Sequence, residues 1–157
     1  MTDSEIYKLW LSRVSDNRHL RYKRWVEIRK VIEENNIKSV LEFGSGVSTL
    51  LFSNLGLRLF SLETDLKYMS FVRDLCANKV HFIYWDGTTV PMKAPFDLCL
   101  VDGALPRLPQ LLHALKKSSF IAVDDYVGAQ KRQFEPHLAN LERIDSGETI
   151  LAVFKNV

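Results

Sequence analysis

The chain has 157 residues, 46% hydrophobic and 25% charged, with a formal net charge of +2. That length suits one domain able to bury a full core, and the composition is ordinary for a soluble globular protein. The net charge is too small to imply a nucleic-acid partner, and no apolar run approaches the roughly 20 residues that span a bilayer. Residues 3–14 and 18–36 read as helices, because Ile6, Leu9, Trp10 and Val14, then Trp25, Ile28, Val31 and Ile32, recur at helical spacing. Asp16 or Asn17 is suited to cap the second helix, and Asn35-Asn36 ends it. Strands and helices then alternate: a strand over 39–43, a helix over 47–54, a strand over 58–62, and a helix over 66–77 opened by Asp65. Strands over 80–84 and 96–101 follow, the second preceded by Pro91 and Pro95. A helix over 109–117, a strand over 119–123 and a helix over 129–138 lead to a final pair, 141–145 and 149–154, joined by a Ser146-Gly147 turn. Such alternation predicts an α/β fold of parallel strands covered by helices on both faces.

The polar, acidic opening Met1-Thr2-Asp3-Ser4-Glu5 does not read as a secretory signal. Cys76 and Cys99 stand in apolar surroundings without metal-type spacing. They read as buried reduced thiols, which makes the cytoplasm the expected compartment. A homo-oligomer is left open.

The densest signal lies at Val40-Leu41-Glu42-Phe43-Gly44-Ser45-Gly46-Val47-Ser48-Thr49. An apolar strand ends in an acid, two glycines follow, and a helix begins. Gly44 and Gly46 lack the side chains that would keep a ligand off the main chain. The first amides of the following helix, around Ser48 and Thr49, point at whatever sits there. Glu42 would face an anion, which weighs against a nicotinamide dinucleotide or a phosphate and suits a ligand bearing a cation or hydroxyls.

Glu42-Phe43-Gly44-Ser45-Gly46-Val47-Ser48 resembles the first motif of the class I S-adenosylmethionine-dependent methyltransferases, E/D-x-G-x-G-x-G, with Ser48 where a third glycine is common. The resemblance covers about residues 38–155. It implies a three-layer Rossmann-like sheet of seven strands in the order 3-2-1-4-5-7-6, the last antiparallel, with residues 1–37 as a helical cap of the same domain. It also implies S-adenosylmethionine as cofactor, held by Glu42, Gly44, Ser45, Gly46, Ser48 and Thr49, and by residues at the neighbouring strand ends.

In open α/β sheets ligands lie beyond the carboxyl ends of the strands, where strand order reverses. Glu63 ends the second strand close to the roughly 20-residue distance expected of an acid that accepts from both ribose hydroxyls. Thr64 lies beside it. Trp85-Asp86-Gly87 ends the third strand. The resemblance implies that Asp86 holds the adenine amino group, with Trp85 or Tyr84 stacking on the ring. An Asp-Gly turn beside a core-edge tryptophan is the plain reading of the same residues.

Asp102 ends the fourth strand, while Asp124 and Asp125 end the fifth. Three carboxylates at adjacent strand ends repel one another unless a cation or a proton joins them. The arrangement resembles the metal-dependent O-methyltransferases of the catechol and caffeoyl-coenzyme A kind, which implies Mg²⁺, Ca²⁺ or Mn²⁺ at Asp102, Asp124 and Asp125. The alternative is a metal-free site, with Asp102 near the sulfonium or acting as general base and with Asp124 and Asp125 as ordinary helix-start and loop acids. Asp102 and Asp124 are the catalytic candidates. Asp102-Gly103-Ala104-Leu105 lacks the Asn/Asp-Pro-Pro-Tyr/Phe of enzymes that methylate base amino groups in DNA or RNA.

Arg18, His19, Arg21, Lys23, Arg24, Arg29 and Lys30 make the cap basic. They suit either an anionic acceptor or a solvated helix face. The expected activity is methyl transfer to a hydroxyl or carboxylate of a small molecule. The alternative is a non-catalytic S-adenosylmethionine-binding module that meets a partner through the basic helices. A third reading is a different enzyme on the same scaffold, such as an aminopropyl transferase or a dinucleotide enzyme, and Glu42 and the missing third glycine weigh against the dinucleotide.

Overall fold

A computed structural model describes residues 1–15, 19–104 and 106–156. The expected caps Asp16 and Asn17, and also Arg18 and Leu105, lie outside the described residues. Helix α1 (Asp3–Arg13) opens on a capping box in which Thr2 and Glu5 satisfy each other's main-chain N–H groups. Helix α2 (Tyr22–Glu34) starts later than residue 18, and Leu20 ahead of it is buried.

Strands β1 (Ser39–Phe43), β2 (Arg58–Glu63), β3 (His81–Tyr84), β4 (Phe96–Val101) and β5 (Ser118–Val123) alternate with helices α3 (Val47–Asn54), α4 (Leu66–Leu75) and α5 (Leu108–Lys117). Helix α6 (Gly128–Leu138) leads to β6 (Glu142–Arg143) and β7 (Ala152–Lys155). The sheet runs β3-β2-β1-β4-β5-β7-β6, with β7 antiparallel to both β5 and β6 and every other pair parallel. This is the expected order.

The final pair differs in detail from its expected form. Strand β6 has only two residues, and a loop over 144–151 replaces a tight Ser146-Gly147 turn. The Asp145 carboxylate explains this. It accepts from Arg143 Nε at 2.8 Å, Gly147 N at 2.9 Å and Val153 N at 2.8 Å, so side-chain bonds replace strand pairing there.

Because the central strands are covered on both sides, each reads as a continuous apolar run whose alternate residues serve opposite layers. Val40, Leu98, Leu100 and Ala122 face one core with Trp10, Trp25, Ile28, Leu51 and Phe52 of α1, α2 and α3. Leu41, Phe43, Cys99, Val101 and Ile121 face the other with Leu111, Ala114, Phe134 and Leu138 of α5 and α6. The two amino-terminal helices thus complete one layer of the sandwich. Trp25 stands edge-on to Phe52 at 5.2 Å and donates its indole N–H to the buried Asp3 carboxylate at 2.6 Å. Cys76 and Cys99 are free thiols, and burial pushes the Cys76 thiol up to about 11. Among the described residues no helix is long and apolar enough to cross a membrane.

Candidate functional site

Hydrogen bonding continues one rung past the strands and fixes their tips in a row. Gly44 N donates to Leu62 O at 2.8 Å, Trp85 N to Glu63 O at 3.0 Å, Asp102 N to Phe43 O at 3.3 Å and Asp124 N to Val101 O at 3.2 Å. The sheet order reverses between β1 and β4, and a cavity of about 670 Å³ opens there. Gly44, Ser45, Gly46, Ser48, Glu63, Thr64, Asp102, Asp124 and Asp125 all line it. The cap closes it through Trp10, Leu20, Arg21 and Arg24, with His19 also in the wall.

The glycines do different jobs. Gly44 has φ +88°, and a Cβ there would lie 2.9 Å from Asp102 O and from Gly103 Cα. Its bareness lets the β1 and β4 tips touch. A Cβ on Gly46 would meet nothing nearer than the Tyr68 hydroxyl at 3.8 Å, so a side chain there would project into the cavity. Gly46 leaves a stretch of uncovered main chain for a ligand.

Glu42 does not line the cavity. It is fully buried beneath the loop and accepts from Thr49 Oγ1 at 2.6 Å, Ser61 Oγ at 2.7 Å and Ser48 Oγ. Thr49 Oγ1 in turn accepts from Gly46 N at 2.8 Å. Glu42 therefore shapes the glycine loop from below through hydroxyls. Burial, partly offset by those three donors, pushes its carboxyl up to about 7.

Glu63 is 8% exposed and turned onto the loop. Its Oε1 accepts from Thr64 N at 2.7 Å and Asp65 N at 3.0 Å. Among the described residues its Oε2 accepts only from Ser45 N, at 2.9 Å. A carboxylate oxygen takes two donors, so Oε2 keeps capacity for a ligand hydroxyl.

The third-strand residues stand apart from this cavity. The Trp85 ring is buried against Phe43 at 5.2 Å and donates its N–H to Thr89 O. Asp86 is exposed and accepts from Thr88 N at 2.8 Å and Thr89 N at 3.1 Å, forming a turn around Gly87, φ +87°. Tyr84 is the aromatic with an exposed ring.

Asp102, Asp124 and Asp125 converge as expected, with one oxygen of each within 4.8 Å of the others. Two arginines meet them. Arg24 Nη1 donates to both oxygens of Asp124, at 2.8 and 2.9 Å, and to Asp125 Oδ1 at 2.9 Å. Arg107 Nη2 reaches Asp102 Oδ1 at 3.2 Å. Other Arg107 donors bind Gly103 O at 2.8 Å and Asp124 O at 3.1 Å, tying the two tips together, and Gln130 Oε1 at 3.0 Å. Gln110 is fully buried and completes the loop after β4, accepting from Gly103 N and donating to Ala104 O. Burial and the Asp124 charge hold the Asp102 carboxyl well above its ordinary value, against the pull of Arg107. Burial likewise raises Asp124, against Arg24.

Sequence reasoning included Arg24 only in a general basic face and did not single out Arg107 or Gln110. No spacing rule joins Arg24 to an acid 100 residues away. The proline following Arg107 by two positions was its one local signal, marking a helix start.

No protein-family model and no curated relative matches the sequence. Solved structures do match. An SAH-bound methyltransferase of Podospora anserina is similar at 14% identity, over 99% of this chain and 87% of that one, with a TM-score of 0.73. The chain has the class I methyltransferase fold. An O-methyltransferase of Bacillus cereus in complex with SAH is similar at 15% identity over 98% of this chain and 90% of its own, TM-score 0.73. An O-methyltransferase of Streptomyces achromogenes, involved in tomaymycin synthesis and bound to SAM, is similar at 18% identity over 99% and 89%, TM-score 0.71.

Two groups associated with this fold can be tested against the residues. The uncovered main chain at Gly46 and the spare oxygen of Glu63 fit an adenosyl ligand with its ribose. A divalent ion fits the oxygen donor set, yet Arg24 already bonds three of those oxygens. The residues as placed accommodate an internal cation instead, so no step is assigned to a metal.

Proposed function

We propose that this protein is an S-adenosylmethionine-dependent methyltransferase of one domain, transferring the methyl group to a hydroxyl or carboxylate oxygen of a small molecule. The observation that carries the reading is the meeting, in one cavity, of Gly46's uncovered main chain, a Glu63 oxygen with an open acceptor position, and the Asp102 carboxylate, whose proton affinity is raised by burial and by Asp124. When bound, S-adenosylmethionine supplies a methyl group already activated on a sulfonium.

The chain's own residues then mainly bind and align. Glu63 Oε2 accepts a ribose hydroxyl while Ser45 N fixes the carboxylate in place. Gly46 lets the ligand rest on main chain. Trp10, Val14 and Leu20 of the cap wall off water on the acceptor side. A hydroxyl acceptor must lose its proton, and Asp102 is the carboxylate to take it. Its raised proton affinity brings it nearer the operating pH of a general base. Asp124 has both oxygens on Arg24 and acts as a positioning residue.

Asp86, on the β3 tip beside Glu63, is the acceptor we assign to the adenine amino group. The acceptor molecule is placed under the cap. Arg21 also lines that part of the cavity, which favours an acceptor with an anionic group. The free thiol state of Cys76 and Cys99 is consistent with the cytoplasm.

The binding-module alternative requires the basic cap to face outward. Arg24 turns inward, Arg29 bonds Asp3 at 2.6 Å and Glu33 at 2.8 Å, and Lys30 lies 3.9 Å from Glu34. Those charges are met within the chain.

Calorimetric titration with S-adenosylmethionine, SAH and NAD tests the ligand. The expected outcome is binding of the first two and not of NAD, and the reverse result would overturn the proposal. Labelled methyl transfer to a pool of hydroxyl- and carboxyl-bearing metabolites then tests catalysis. Tight binding with no transfer to any pool would favour the module.

A further inference from the structure

The acid cluster at the β4 and β5 tips needs positive charge, and α2 delivers it. We propose that Arg24 is the resident cation of this cluster, so that the site works without a divalent ion and binds one only when the guanidinium is removed.

One nitrogen, Arg24 Nη1, stands 2.8–2.9 Å from three carboxylate oxygens on two residues. Hard divalent ions bind such oxygens at roughly 2.0–2.6 Å. An ion using Asp124 would therefore have to share space with a like-charged group already bonded to both of its oxygens. Arg107 Nη2 meets one oxygen of Asp102, Oδ1, at 3.2 Å. Each of the three acids then has a guanidinium partner, and the cluster needs no added ion to offset repulsion.

Arg24 is no loose surface arm. Its side chain is 14% exposed. Its neighbour Trp25 is fully buried, wedged on Phe52 and bonded to Asp3, and Ile28 one turn on is buried as well. Core packing of α2 thus sets where the guanidinium goes. Displacing it would disturb helix packing, so an ion from solution competes with a charge held in place. The guanidinium is planar and permanently charged, with donors matched to carboxylates, and so can substitute for a metal as a fixed positive charge. The inference concerns charge at the cluster and stands whether or not the cavity binds a sulfonium.

The test titrates Mn²⁺ into the full-length protein and follows free Mn²⁺ by electron paramagnetic resonance. Wild type is expected to take up no stoichiometric Mn²⁺ at about 1 mM metal, and its unfolding midpoint is expected not to move with chelator. Arg24→Met is expected to bind one Mn²⁺ per chain, at least about tenfold tighter than wild type. That binding should disappear in the Arg24→Met, Asp124→Asn double variant. Guanidinium ions at a few millimolar should displace the metal from Arg24→Met, as no unrelated surface site would allow. If Arg24→Met does not fold, Arg24→Gln replaces it, since its amide can bond Asp124 without charge. One Mn²⁺ per wild-type chain, lost in Asp124→Asn, would overturn the proposal. So would a folded Arg24→Met or Arg24→Gln that binds no better than wild type.

Discussion

The two sides of the cavity hold their carboxylates by different means. On the β1–β2 side, Glu42 and Glu63 are satisfied by hydroxyls and main-chain amides of residues at most 19 positions away. Among the described residues no cation takes part. On the β4–β5 side, Asp102, Asp124 and Asp125 are met by guanidiniums, one of them from a helix 100 residues earlier. The first side builds a shaped loop from short-range bonds. The second makes an electrostatic cluster that exists only once α2 has packed on the sheet. Local bonds can be read from neighbours in the chain, whereas a long-range ion pair depends on the finished fold.

The largest effect follows from the long-range side. Arg24→Met leaves Asp124 buried with neither of its oxygens bonded to a cation. Removing one partner of a buried pair costs on the order of 3–5 kcal/mol, and partial access to solvent at Arg24 puts the expected loss at about 3 kcal/mol. Urea unfolding measures it. A loss below about 1 kcal/mol would mean that Arg24 is an ordinary surface pair and would erase the contrast between the two sides.

Legibility divided along the same line. The strand ends at Phe43 and Val101 and the helix over Val47–Asn54 fall where the residues predict, because apolar runs between glycines and acids leave little choice. The order of the sheet came from a family resemblance, since periodicity fixes elements and not their neighbours. Convergence of Asp102, Asp124 and Asp125 was legible because strand tips of a parallel sheet share one edge. Their partners were not. Arg24 shares a helix with Lys23, Arg29 and Lys30, and nothing local says which of these turns inward. The position of Glu42 beneath the loop was missed for a related reason. An acid beside glycines reads as a ligand contact, while the alternation of β1 points it at α3, toward Ser48 and Thr49.

Glu42→Gln probes the short-range side. Burial lifts the Glu42 carboxyl from an ordinary 4.5 to about 7. Between those values the folded protein keeps a proton that the unfolded chain has released. The stabilisation from that proton is complete below about pH 4.5 and is lost as pH rises through about 7. The substituted amide cannot titrate, yet its NH₂ can serve Ser48 while its carbonyl serves Thr49 and Ser61. The variant should therefore gain on wild type by about 3 kcal/mol between about pH 4.5 and about pH 8. Unfolding both proteins across that range isolates the difference, because other titrating groups cancel. A difference that stays flat with pH would show that Glu42 remains ionised and that the hydroxyls alone offset its burial.

Glu63→Ala has a smaller effect, on ligand rather than fold. Hydrogen bonds to charged groups contribute roughly 1.5–3 kcal/mol, so S-adenosylmethionine should bind about 10- to 100-fold more weakly. Calorimetry gives the ratio, and unfolding in parallel separates it from loosening of the Ser45–Asp65 region. Unchanged affinity in a folded variant would remove the ribose role and leave Glu63 as a brace for the loop.

The smallest expected effect lies at the edge of this side, where the turn at Asp86 has two readings. Its Oδ1 oxygen already accepts from Thr88 and Thr89, as any Asp-Gly turn would have it. Its position is the ground for the proposed ligand role, because Trp85 N on Glu63 O sets the β3 tip beside the carboxylate proposed to hold the ribose. In the proposed assignment an adenine extends from that ribose toward Asp86. Asp86→Ala should then weaken S-adenosylhomocysteine about tenfold. The decisive comparison uses S-inosylhomocysteine, which lacks the amino group. Wild type should favour the adenosyl compound and the variant should bind both alike. Equal preference in the two proteins would assign Asp86 to the turn alone, and the adenine would have to be held by main chain and the exposed ring of Tyr84. Either result extends the contrast, since a contact made by neighbouring strand tips needs no charge brought from a distant helix.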